Sequence, residues 1–139
     1  MPQVNDWNSS IIEEFRANGG KVGGRFEGRN LLLLHTTGAR TGQARTNPLA
    51  YLADGDRFVV FATKAGAPRN PDWYHNVIAH PEVTIEVGTE TFPVRARVAT
   101  GGEREELWAR QVALFPAFGD YGERTERAIP VVVLERTDR

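Results

Sequence analysis

The sequence contains no cysteine, and only three of its 139 residues are histidines. The lack of cysteine excludes disulfide bonds, iron–sulfur ligation and a thiol nucleophile, and it is consistent with a reducing cytoplasm. His75 and His80 lie near a helix end without an obvious third ligand, so we expect no metal site. A nucleophile elbow, a P-loop and the glycine fingerprint of dinucleotide-binding domains are also missing, which excludes the sites built on these motifs.

An excess of charge of one sign and long apolar runs are lacking as well. There are 17 basic and 18 acidic residues, which argues against a nucleic-acid-binding domain. Apolar runs such as Leu31–Leu34 are far too short to span a bilayer, and the N-terminal residues lack the basic and apolar regions of a signal peptide. We therefore expect one cytoplasmic domain over residues 1–139, a monomer or homodimer without stable membrane insertion. Peripheral contact of the N-terminal helix with a membrane stays open.

Hydrophobic periodicity predicts about six strands with two or three helices around them. The predicted elements are helices over residues 5–18, 70–80 and 100–115 and strands over 31–36, up to 52, 57–63, 83–87, up to 98 and 129–134. Trp7 shares the apolar face of the first helix, so we place its start near Asn5 rather than at a Ser10 cap. Pro48 indicates an edge strand or a bulge. This pattern predicts a mainly β (α+β) fold, a small antiparallel barrel with peripheral helices.

The loop after the first strand carries the strongest signal for a binding site. It is rich in arginine, threonine and glycine: Thr36, Thr37, Gly38, Arg40, Thr41, Gly42 and Arg45. Guanidinium groups match phosphate oxygens, and glycines let backbone N–H groups turn outward toward an anion. The same residues also fit an ordinary polar hairpin loop with solvated arginines. Both interpretations stay open on these residues alone.

A second segment, residues 63–76, combines cations with a helix N-terminus and an aromatic pair. We expect Asn70 to cap this helix, with Pro71 in its first turn. The free N–H groups of a helix N-terminus favour an anion, and Lys64 would flank the same pocket as the loop arginines if the two hairpins are neighbours. Trp73 fits both a core position and a site position.

The motifs resemble those of the deazaflavin-dependent nitroreductase family of actinobacteria. The resemblance rests on residues 36–49, 62–64 and 70–76, and residues 115–121 and 129–133 resemble the C-terminal part of the family. It implies a split β-barrel, shared with the FMN-binding oxidases of pyridoxamine phosphate, and binding of the 8-hydroxy-5-deazaflavin coenzyme F-420. The phosphate and glutamate tail of that coenzyme are anionic.

The resemblance also implies roles for particular residues. Arg40, Arg45 and Lys64 stand where the family holds the phosphate and the adjoining tail. Backbone at Pro48 and Leu49 stands where the family lines the deazaflavin ring. The complete set of implied cofactor contacts is Arg40, Thr41, Gly42, Arg45, Pro48, Leu49, Ala62, Thr63, Lys64, Asn70, Trp73 and Asn76.

The implied acceptor pocket comprises Trp7, Phe118 and Tyr121, with Tyr121 as the catalytic residue that stabilises the reduced acceptor. Phe118 replaces a tyrosine of the prodrug-activating relative, which weakens the case for nitroimidazole reduction. The resemblance implies hydride transfer to a quinone, with nitroaromatic compounds as promiscuous acceptors. Two alternatives stay open: a non-catalytic flavin or deazaflavin carrier, and a reductase that uses FMN. Tyr121 also fits a simple packing role.

Overall fold

The computed structural model describes residues 6–23, 30–39, 41–62, 71–114 and 129–138. These ranges hold three helices and seven strands. In chain order the elements are α1 (Asp6–Ala17), β1 (Leu31–Thr37), β2 (Ala44–Ala50), β3 (Leu52–Asp54), β4 (Arg57–Phe61), α2 (Asp72–Ala79), β5 (Glu82–Val87), β6 (Glu90–Val98), α3 (Gly101–Leu114) and β7 (Val131–Arg136). The predicted succession of elements is confirmed, with one strand more than expected.

The seven strands form one antiparallel sheet whose two terminal strands are consecutive in the chain. The strand order is β2-β1-β5-β6-β7-β4-β3. Ala50 pairs with Leu31 of β1, whereas Leu52 pairs with Val59 of β4, so the chain changes partner at Tyr51. Because one residue separates the two terminal strands, the sheet has to curl into a barrel. This change of partner divides the strand that was predicted to end at Leu52, and the predicted antiparallel barrel with peripheral helices is confirmed.

β1 is buried on both faces, as its uninterrupted apolar run indicates. Leu32 and Leu34 point into the barrel and belong to its core. Leu31 and Leu33 point outward and pack against α1, where Phe15 is almost completely buried. Burying one such side chain contributes roughly 1.5–3 kcal/mol. Packing on both faces therefore makes β1 a firm base for the loop that follows it.

The two helix starts test the sequence analysis directly. Trp7 lies within α1, so the start near Asn5 agrees with the structure and a cap at Ser10 does not. Pro71 is the N-cap residue of α2, with a φ of −67° and a ψ of 157°. Its predicted place inside the first turn is therefore wrong by one residue. Proline is tolerated here because the first N–H groups of a helix have no intrahelical acceptor. The predicted cap, Asn70, lies outside the described residues.

Candidate functional site

Several of the segments assigned to the cofactor meet at one end of the barrel. Because neighbouring strands are antiparallel, β1, β4 and β6 end where β2, β5 and β7 begin. The loop after β1 and Ala62 after β4 therefore share this end, and the N–H of Ala62 donates to the carbonyl of Pro130 at 3.0 Å. α2 lies across it, with Trp73 and Val77 buried in the barrel core. We call this end, formed by residues 38, 39, 41–43, 62, 71–81 and 129–130, the mouth.

The loop at residues 38–43 is closed by its own hydrogen bonds. Gly38 N donates to Gln43 O at 2.8 Å, Gly42 N to Gly38 O at 2.9 Å, and Gln43 N to Thr41 Oγ1 at 3.2 Å. A Cβ on Gly38 would lie 2.7 Å from Thr41 Oγ1, and Gly42 has a φ of 70°, so the loop conformation favours glycine at both positions. These three N–H groups are engaged inside the loop. The expectation that glycine turns such groups outward toward an anion is therefore wrong for them.

Asn76 joins this loop to α2. Its side chain is buried, its Oδ1 accepts a hydrogen bond from Ala39 N at 3.0 Å, and its Nδ2 donates to Thr36 Oγ1 at 3.1 Å. Thr36 is also buried, on the same face of β1 as Leu34. The sequence analysis did not identify Thr36 as a partner of Asn76. The sequence does contain a signal for this contact. Thr36 continues the inward-facing positions Leu32 and Leu34, and a buried hydroxyl needs a hydrogen-bond partner.

Arg45 stands out among the arginines of the described ranges. Eight arginines lie there, and seven of them form ion pairs with carboxylates. Arg45 is exposed and makes no such pair with any described residue. It is the cross-strand partner of Thr36, so its side chain leaves the sheet on the same face, next to the mouth. A cation without a carboxylate partner at this position can accept an anionic ligand.

β2 offers backbone groups beside Arg45. The strand has β1 as its one strand neighbour in the described sheet, so Pro48 lies on an edge strand, as predicted. Leu49 pairs with Leu32 and is partly buried against the barrel core. An edge strand leaves the N–H and C=O groups on one of its sides unpaired. The strand at Pro48 and Leu49 can therefore line a planar ring.

Trp73 and Ala62 are less available to a ligand than the loop. Both side chains are buried in the barrel core, and Trp73 is 5% exposed. Trp73 thus fills the core position that the sequence analysis left open for it. Any contact of these two residues with a cofactor would be at the edge of the core.

The remaining candidate residues cannot be placed in the site. Arg40, Thr63, Lys64, Asn70, Phe118 and Tyr121 lie outside the described residues. Trp7 lies in α1, but the structure does not describe its side chain. Their roles stay predictions.

His35 lies on the outer face of β1 and makes two polar contacts. Its Nε2 lies 2.5 Å from Glu86 Oε2 on β5, and its Nδ1 lies 3.1 Å from Thr46 Oγ1 on β2. Hydrogen bonds from Arg16 of α1, and then from His35, lower the pKa of Glu86. Glu86 is therefore held as a carboxylate that links α1 to the strands supporting the mouth.

A depression of about 110 Å³ opens between α2 and β6. It is lined mainly by apolar groups, among them Val77, Ile78 and Val132. Arg97 also borders it, but its guanidinium is paired with Glu103 at 2.7 Å. Its described lining includes none of the predicted cofactor or acceptor residues that the structure describes.

Two kinds of feature are absent from the described ranges. No cluster of three or more His, Cys, Asp or Glu side chains there is arranged to hold a metal ion. None of the helices in those ranges has the length and apolar character needed to cross a membrane.

Comparison with known proteins identifies the family. Residues 7–136 match the model of the F420H2-dependent quinone reductase family. An F420H2-dependent quinone reductase of Mycobacterium tuberculosis is 42% identical over 126 residues, which cover 88% of this chain and 85% of that protein. A solved structure of an F420H2-dependent reductase is 37% identical, with a TM-score of 0.70 over 77% of this chain and 95% of that one. A second solved structure, whose description says only that it is a domain-swapped dimer, is 34% identical, with a TM-score of 0.72 over 91% of this chain and 93% of that one.

These findings confirm the split-barrel fold, the deazaflavin coenzyme and the oxidoreductase class that the sequence resemblance implied. The FMN alternative loses its support, since the matched family is defined by the deazaflavin coenzyme. The chain belongs to the F420H2-dependent quinone reductase family.

Proposed function

We propose that the mouth holds reduced coenzyme F-420, with an anionic group of the coenzyme against Arg45, and that the chain reduces a quinone. The observation that carries this proposal is the guanidinium of Arg45, which has no carboxylate partner among the described residues and lies beside a loop closed by its own hydrogen bonds. The other seven described arginines are neutralised by carboxylates, so Arg45 is the described arginine best able to meet a phosphate or a glutamate carboxylate. Arg40 and Lys64 are proposed to add further positive charge.

The groups of the mouth and of the neighbouring strand β2 fit such a coenzyme. Phosphate and carboxylate groups suit Arg45 and the hydroxyl of Thr41, while the ring would lie along the edge strand at Pro48 and Leu49. Hydrogen bonds within the loop hold its conformation, so little conformational entropy would be lost when the coenzyme binds.

The chain's own contribution to the reaction is orientation and stabilisation of charge. The bound reduced deazaflavin supplies a hydride, and a quinone that gains this hydride and a proton becomes a hydroquinone. Tyr121 is proposed to donate a hydrogen bond to the quinone oxygen as negative charge develops there. Trp7 and Phe118 are proposed to line the acceptor pocket and exclude water. Nitroaromatic compounds are proposed as slower, promiscuous acceptors.

A stopped-flow experiment tests the proposed function. Protein loaded with reduced F-420 is mixed anaerobically with menadione or with a nitroaromatic compound, and oxidation of the coenzyme is followed against a protein-free control. We expect fast oxidation by menadione and slower oxidation by the nitroaromatic compound. Binding without any acceleration by either acceptor would instead support the non-catalytic carrier. A parallel titration should show F-420 binding at least roughly tenfold tighter than FMN, a difference of about 1.4 kcal/mol.

We also propose an oligomeric state and a cellular location for the protein. Residues 1–139 are proposed to form one cytoplasmic domain, a monomer or homodimer, and the domain-swapped relative favours the homodimer. Light scattering at several protein concentrations distinguishes the two states. Peripheral membrane contact through α1 would show as sedimentation with liposomes.

A further inference from the structure

We infer that Asn76 is a positioning residue that places Arg45 through the loop, rather than a residue that binds the coenzyme itself. The inference rests on the proposed function, because it assumes that Arg45 meets the anionic part of the coenzyme. It assigns Asn76 a different task from the direct contact that the family resemblance implies.

The Asn76 side chain makes two hydrogen bonds to the segment that leads toward Arg45. Its amide oxygen accepts from Ala39 N at 3.0 Å, and one of its N–H groups donates to Thr36 Oγ1 at 3.1 Å. A backbone N–H needs an oxygen acceptor, so this geometry also settles which amide atom faces Ala39. Asn76 is 7% exposed and Thr36 is 4% exposed. Turning the amide toward a ligand would break both hydrogen bonds and leave the buried hydroxyl of Thr36 without this partner, which is unfavourable.

Thr36 connects Asn76 to Arg45. Thr36 and Arg45 are direct cross-strand partners, and the next pair, Thr37 and Ala44, completes the base of the loop. Asn76 therefore holds the base through Thr36 and the loop itself through Ala39.

The helix that carries Asn76, α2, is anchored in the barrel core. Its side chains Trp73 and Val77 are buried in the barrel core, so Asn76 stands on an element that cannot shift without disrupting that core. The barrel core thus fixes α2, Asn76 of α2 binds Thr36, and Thr36 is the cross-strand partner of Arg45. A loop held in this way is ready for an anionic ligand before the ligand arrives.

The test compares a pair of variants at Thr36 with Asn76→Ala. Thr36→Val deletes the hydroxyl that Nδ2 binds, while Thr36→Ser keeps it. We expect Thr36→Val to weaken F-420 binding about five- to tenfold and Thr36→Ser to restore nearly wild-type affinity. Asn76→Ala should weaken binding about tenfold or more. Asn18→Ala, which removes an exposed asparagine outside the mouth, should leave the affinity unchanged.

A double-mutant cycle distinguishes positioning from direct binding. If Asn76 acts through Arg45, the Asn76→Ala, Arg45→Ala double variant should bind F-420 nearly as well as Arg45→Ala alone. Independent, multiplicative losses, or an unchanged affinity in both Asn76→Ala and Thr36→Val, would overturn the inference. An unchanged affinity in Arg45→Ala by itself would instead count against the proposed function.

A readout on the cofactor-free protein completes the test. Amide hydrogen exchange at Ala39, followed by NMR, should be slow in the wild type and in Thr36→Ser, and fast in Asn76→Ala. Unprotected exchange at Ala39 in the wild type would contradict the inference without any reference to the coenzyme. This measurement also remains valid if Asn76→Ala lowers overall stability, because wild type and Thr36→Ser suffice for it.

Discussion

Arg16 Nη2 lies 2.7 Å from Glu86 Oε2, although the two residues are 70 positions apart in the chain. Arg16 Nε reaches the other carboxylate oxygen at 3.2 Å, so the guanidinium binds the carboxylate with two donors. His35 lies 2.5 Å from the same Oε2. One carboxylate on β5 thereby holds the last turn of α1 against β1, and α1 is the helix that carries Trp7 of the predicted acceptor pocket.

We predict that Glu86→Gln lowers the free energy of unfolding by about 0.5–1 kcal/mol at neutral pH. The value is modest because Arg16 is half exposed and solvent screens the pair. Arg16 and His35 lower the pKa of Glu86 from its ordinary value of 4.5, so the stabilisation is complete above that pH and is lost as the pH falls through the lowered value. Urea unfolding at pH 7 and at several values down to about pH 3 should therefore show a smaller acid-induced loss in the variant than in the wild type.

Glu82→Gln is the matched control for this prediction. Glu82 lies on the same strand and pairs with Arg95 at 3.4 Å, with both side chains largely exposed. Its replacement should leave the acid dependence unchanged. Identical acid dependences in the wild type and Glu86→Gln would show that the carboxylate does not anchor α1.

We predict that Gly20→Ala destabilises the protein by more than about 2 kcal/mol. Gly20 follows α1 with a φ of 99°, and a Cβ there would lie 2.7 Å from the Cα of Gly88. Both the left-handed backbone and the contact with another backbone disfavour a side chain. Gly102→Ala is the control, because it has open space around it and no unusual φ. Equal melting temperatures for Gly20→Ala and the wild type would mean that the two segments do not pack this closely.

We predict that Arg45→Ala weakens F-420 binding by roughly 10- to 100-fold. A charge-assisted hydrogen bond contributes about 1.5–3 kcal/mol, and each 1.4 kcal/mol is about a factor of ten. Turnover at saturating coenzyme should change far less. Arg95→Ala, which removes an exposed arginine with a carboxylate partner, is the matched control in the same titration. An unchanged dissociation constant for Arg45→Ala would return the loop to the interpretation of a solvated hairpin.

We predict that Tyr121→Phe lowers the rate of hydride transfer to menadione about tenfold without a matching loss of coenzyme affinity. The substitution keeps the aromatic ring and deletes only the hydroxyl. Losing one oxyanion donor costs roughly 100- to 1000-fold in a dry site, but a quinone delocalises its charge, so we expect the smaller effect. Stopped-flow oxidation of the bound reduced coenzyme measures it. Rates within about twofold of each other would leave Tyr121 as a packing residue.

The local elements of the fold follow from short-range patterns. The uninterrupted run Leu31–Leu34 indicates a strand buried on both faces, and the alternation of Phe92, Val94 and Ala96 along the chain indicates one inward-facing side of β6. Both are present, because the direction of a strand side chain depends only on its position along the strand. Pro48 indicated an edge strand for an equally local reason, the missing N–H.

The break at Tyr51 did not follow from these patterns. Residues 44–54 form an extended segment in the sequence and in the structure, but Ala50 pairs with Leu31 and Leu52 with Val59. Which partner each half takes depends on closure of the whole sheet. A local pattern contains no information about that closure.

By itself, the sequence determined that the chain forms an antiparallel barrel with helices and that it belongs to a deazaflavin-dependent family, since periodicity and motif spacing are properties of neighbouring residues. Tertiary structure alone decided which polar side chains pair with each other. It joined Asn76 to Thr36 across 40 positions and Arg16 to Glu86 across 70. It also neutralised seven of the eight described arginines while leaving Arg45 unpaired among the described residues. The reason is physical: a hydrogen bond or an ion pair forms only where folding brings two groups within about 3–4 Å, and that distance is set by packing of the whole domain.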